Sequence, residues 1–109
     1  MAVRLTKPWL SVDEAMSRLR GNLGVFELAD AQGRLLLIGF AGGNSLYGLK
    51  GVVAQTLESV KEASQVRYEV TTAYHTRYRE LLMAYYADFG ELPPENPAVT
   101  FKLGKLSPS

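Results

Sequence analysis

Gly42, Gly43 and Asn44 precede a helical stretch that carries Lys50. Backbone N–H groups at a helix start can cradle an anion, and a lysine nearby adds charge. The spacing to Lys50 differs from that of the nucleotide-binding glycine motifs, so a flexible connector is the competing reading. Arg67, Arg77, Arg79 and Lys50 could together form a basic surface for nucleic acid. Acids are interspersed among them, which allows an ordinary solvated face instead. Tyr74, Tyr78 and Tyr85 recur at helical spacing and could stack on bases, although such a row also suits a core. His75 has no second histidine at ligand spacing, and Glu80 falls off its face, so a surface histidine is favoured over a metal ligand.

Composition narrows the classes. The chain has 109 residues, 47% hydrophobic and 21% charged, with a formal net charge of +1 and no cysteine. These proportions belong to a single globular domain that buries roughly two thirds of its unfolded surface. A near-neutral chain has no global pull toward nucleic acid or anionic membrane, so any such binding needs a local patch. Absence of cysteine excludes disulfides and thiolate metal sites. The longest apolar stretch, Leu35 to Ala41, is too short to span a bilayer, and Arg4, Lys7 and Pro8 interrupt any signal-peptide core. A cytoplasmic location is expected, with no membrane partner.

The elements that must position these residues follow from pattern. Residues 1–10 form an arm containing Pro8, with Trp9 as its anchor. Ser11-Val12-Asp13-Glu14 has the form of a capping box, and Val12, Ala15, Met16 and Leu19 make one apolar helical stripe stopped by Gly21. Gly24 to Gly39 reads as a hairpin turning at Asp30-Ala31-Gln32-Gly33. Its second strand, Leu35 to Ile38, is continuously apolar and is expected to be central, whereas Glu27 marks the first strand as lying further out. Leu49, Val52, Val53, Thr56, Leu57 and Val60 keep helical spacing; Gly48 and Gly51 imply a first turn that is frayed or held close to another backbone. Gln65 to Thr71 alternates as a half-exposed strand. A last helix spans about Ala73 to Phe89, with Tyr74, Tyr78, Leu81, Leu82, Tyr85 and Phe89 inside and Gly90 as terminator. Pro93 to Pro97 should lie extended on the surface, and Val99, Phe101 and Leu103 alternate as an added edge strand. The expected fold is α+β, of order α-β-β-α-β-α, with a small three-stranded antiparallel sheet and flanking helices.

Gly24-Val25-Phe26 and Leu37-Ile38-Gly39 stand at the separation of the two triplets of the GIY-YIG domain, and the region 24–96 resembles that domain in its ββαβα order. Residues 97–109 then form a tail. The resemblance implies a metal-dependent phosphodiesterase scaffold, with Mg²⁺ as the cofactor if catalysis is kept. Carried over, the two tyrosines fall on Phe26 and Leu37. The family's arginine falls on Lys50 or Gly51, its glutamate near Ala84 with Glu80 about a turn earlier, and its asparagine on Asn96. Neither Phe26 nor Leu37 can take or give a proton, which argues against the family's standard mechanism.

Three readings follow. The first is a catalytically inactive GIY-YIG-like module, without a cofactor, that binds nucleic acid or protein. In the second, a nuclease uses a nonstandard set of Tyr47, Lys50, Glu80 and Asn96, with Glu80 as the metal ligand. The third is an assembly subunit or homodimer that pairs through the tail strand.

Overall fold

The structure, a computed structural model, describes residues 5–43, 45 and 47–96. Ser11 both ends a strand and opens a helix. With Leu10 it forms β1 (Leu10–Ser11), and its hydroxyl accepts the Glu14 N–H at 3.1 Å as N-cap of α1 (Val12–Arg18). Only half of the capping box forms, because Glu14 Oε2 accepts from Arg18 Nη2 at 2.8 Å. The helix stops before Gly21: Leu19 turns extended as C-cap and buries its side chain in the core. The carbonyls of Arg20 and Asn22 then accept the N–H groups of Lys50 and Leu49, at 3.0 and 2.8 Å, at the start of α2 (Gly48–Ser59).

The hairpin consists of β2 (Gly24–Ala29) and β3 (Leu35–Ala41). Asp30 Oδ1 accepts from the N–H groups of Gln32 and Arg34, and Gly33 takes φ 88°, a turn geometry that suits glycine. β4 (Gln65–Val70) and α3 (Tyr74–Phe89) complete the order, and Gly90 ends α3 at φ 74°. The α+β class stands, but the sheet has four strands, not three. Leu10 of the supposed arm and Ser11, the helix cap, pair with Val66 and Gln65, giving the antiparallel order β1-β4-β2-β3.

The central strand of the hairpin is also the other one. β2 lies between β4 and β3 and is buried along its whole length, Glu27 included. β3 is continuously apolar because both its faces are covered and its outer edge is strapped. Glu95 N–H donates to Leu36 O at 2.9 Å; Asn96 Oδ1 accepts from Ile38 N–H at 3.0 Å, and its Nδ2 donates to Ile38 O at 2.9 Å. An edge strand with its backbone so occupied carries a central strand's sequence. The register shifts at Leu28/Ala29, which leaves Leu36 as the extra residue and turns both Leu36 and Leu37 toward one cluster.

Two clusters flank the sheet. Phe26, Leu28, Leu36 and Leu37 pack with Ala15 and Leu19 from the α1 region and Leu49 and Val53 of α2. Val25 and Ile38 pack with Leu5 and with Leu81 and Leu82 of α3, joined by Tyr74, Tyr78 and Tyr85. Phe89, expected inside, is 63% exposed and touches Tyr85 with ring centroids 4.5 Å apart. The expected strand around Val99, Phe101 and Leu103 lies outside the described residues. No helix among the described residues is long and apolar enough to cross a membrane. Ile38 is fully enclosed and strapped, so Ile38→Ala should lower stability by about 2–5 kcal/mol, read as a shifted urea midpoint with unchanged slope.

Candidate functional site

The residues that sequence singled out are spread over both faces of the sheet. Phe26 points into the α1/α2 side of the core, and its ring lies over Gly39, where a Cβ would come within 2.5 Å of the ring's Cζ. That ring is the reason position 39 must be glycine. Leu37 belongs to the same closed cluster. Lys50 is exposed on α2, whereas Glu80 stands on α3, across the sheet. Tyr47 is the N-cap of α2 at φ 65°, is 73% exposed and makes no side-chain capping bond. Gly48, at φ 58°, sits against the Gly21 carbonyl with no room for a Cβ. That contact holds the first turn of α2 to another backbone.

Two N–H donors of the glycine loop are engaged. Gly42 N–H donates to Ser45 Oγ at 3.0 Å and Gly43 N–H to the Tyr74 hydroxyl at 3.2 Å, while Asn44 lies outside the described residues. With the Leu49 and Lys50 N–H groups given to the 20–22 segment, the cradle proposed for an anion is occupied by the chain itself. Two of the four cations, Arg67 and Arg77, are engaged in ion pairs. Arg77 forms ion pairs with Glu69 at 3.0 Å and Glu80 at 2.9 Å, and the Glu69 bond above all raises its pKa. Arg79 is exposed on the outer side of α3. Asn96 is committed to Ile38 and to the Tyr78 hydroxyl, whose pKa burial pushes up against that hydrogen bond. Tyr74 and Tyr78 pack on Phe40, the core alternative for that row; His75 leans on the same ring, with centroids 5.1 Å apart. Among the described residues, no three His, Asp or Glu side chains gather as a metal set.

What the fold builds instead is a groove of about 480 Å³ between the sheet and the C-terminal half of α3. Glu27 and Arg67, directly opposite on β2 and β4, form its charged floor, with Arg67 Nε donating to Glu27 Oε1 at 2.7 Å. Trp9 covers the guanidinium from the arm, 4.2 Å from ring centroid to Cζ. Leu35, Tyr85 and Phe89 supply apolar wall, and Arg34 and Glu91 lie at the same opening. Burial raises the Glu27 carboxyl pKa, opposed by the Arg67 hydrogen bond and charge; the Tyr85 hydroxyl is also raised, by burial and then by Glu91.

Sequence reading took Glu27 as a mark of exposure and Arg67 as a surface cation. The available signal was a lone carboxylate in a strand otherwise free of charge, which needs a cation on a neighbouring strand if it is buried. No curated protein and no solved structure matches the chain. The model of one family does match, over residues 3–88, and the chain therefore belongs to that family, described as a domain of unknown function (DUF7508).

Proposed function

We propose that this domain is a GIY-YIG-like module without hydrolytic chemistry, and that its partner is a protein. The observation that carries this reading is the setting of Phe26 and Leu37: the side chains matched to the family's two tyrosines are both buried in an apolar cluster. Pairing of the two triplets across β2 and β3, with Phe26 opposite Gly39, supports the resemblance itself. Protein is favoured over nucleic acid because two of the arginines suited to phosphate are held by carboxylates, Arg67 by Glu27 and Arg77 by Glu69 and Glu80. α3 meanwhile exposes Met83 and Tyr86, and aromatic and methionine side chains are enriched at protein interfaces.

Labelled DNA and RNA oligonucleotides incubated with the domain in Mg²⁺ or Mn²⁺ should stay intact, and binding should be weak even at low salt and vanish as salt rises. Cleavage that disappears in Glu80→Ala would overturn the reading in favour of a nuclease. In cells, a photo-crosslinking residue placed at position 86 should give a nuclease-resistant protein adduct that is absent when the same residue is placed at position 61. Adducts that nuclease digests would make nucleic acid the partner.

A further inference from the structure

We infer that the groove beside α3 is a binding site for a small monocarboxylate with an apolar body, taken through the free edge of Arg67. Of the two floor residues, Arg67 is the one a ligand can reach: its side chain is 22% exposed against 5% for Glu27. Its Nε is fixed by Glu27 and its face by Trp9, so the guanidinium is held in one plane before anything binds. Nη1 and Nη2 donate to no described residue, and they form the edge that matches the two oxygens of a carboxylate. Such a pair gains strength where the arginine is already oriented.

The rest of the groove sets the ligand's class. Leu35, Tyr85 and Phe89 offer apolar area for a ring or short alkyl body, and the volume is that of a small-molecule pocket. Glu91, close enough to act on the Tyr85 hydroxyl, and Asp88, which lines the same groove, disfavour further negative charge. One carboxylate is therefore accepted and a phosphate dianion disfavoured. Glu27 is a positioning residue here, holding the fork rather than touching the ligand.

Trp9 is the single tryptophan of the chain, so its indole N–H signal in a ¹H–¹⁵N spectrum reports on this groove alone. Titration with 3-phenylpropionate should move that signal saturably below about 10 mM, with 3-phenylpropanamide and phenyl phosphate each at least about tenfold weaker. Arg67→Lys, which keeps the charge against Glu27 but loses the fork, should weaken 3-phenylpropionate by about tenfold. Glu91→Gln should tighten it several-fold, a gain that a merely structural role for these residues would not produce. Equal binding of the amide, shifts confined to signals away from the groove, absence of saturation, or indifference to Glu91→Gln would each overturn the assignment. If Arg67→Lys fails to fold, the amide comparison and Glu91→Gln still decide it.

Discussion

Arg67→Ala should cost about 3–5 kcal/mol at neutral pH, because it leaves the Glu27 carboxylate buried without its counter-charge. The loss should shrink as the solution is acidified. Burial already raises the Glu27 pKa above its ordinary 4.5, and removing Arg67 takes away the hydrogen bond and the larger of the two charges that oppose that rise, leaving only Arg77. Between the unfolded and the raised folded value, the native state binds more protons than the unfolded chain, so stability falls as pH rises through this window. Lowering the pH protonates Glu27 in the native state first and removes the unpaired charge. Urea midpoints of Arg67→Ala measured from pH 7 to about pH 5 should therefore converge toward those of the unmodified protein. A gap that stays constant would mean that Glu27 is not the group left unpaired. Adding Glu27→Gln to Arg67→Ala should recover part of the stability at neutral pH and flatten the dependence.

Phe26→Tyr combined with Leu37→Tyr, which restores the two hydroxyls of the resembled family, should be more damaging still and confer no cleavage. Both side chains lie in the cluster sealed by α1 and α2. Each new hydroxyl needs a partner in an apolar setting, at about 1–3 kcal/mol if it finds none. The larger ring at position 37 adds about 1–3 kcal/mol of overpacking. Summed, the penalty rivals the whole stability of about 5–15 kcal/mol typical of small domains. Circular dichroism melts and an oligonucleotide cleavage assay on the same preparations check both halves. A well-folded double variant that cuts DNA would mean that this face opens to substrate.

Much of the architecture was legible. The Ser11 cap, the Asp30–Gly33 turn, the alternating strand from Gln65 and the helix ended by Gly90 each rest on local chemistry, and local chemistry is written in sequence. Errors arose where a distant segment decided the outcome. Leu35 to Ala41 looks central because Pro93–Asn96 returns from beyond α3 to occupy its edge, and no pattern within the strand encodes that return. β1 consists of two residues, too few for any period to register. The groove was missed for a related reason: Glu27, Arg67 and Trp9 are far apart in the chain and meet only through strand register and the path of the arm.

The Asn96 strap also bears on where this domain can safely be cut. The family match ends at residue 88, short of the segment that closes the outer edge of β3. A chain truncated after α3 would present Leu35–Ala41, which carries no charge and no proline, as an open ladder. Bare, apolar edges template pairing between copies and lead to aggregates. The last described residues thus act as a guard on solubility, and boundaries drawn on the family match alone would remove it.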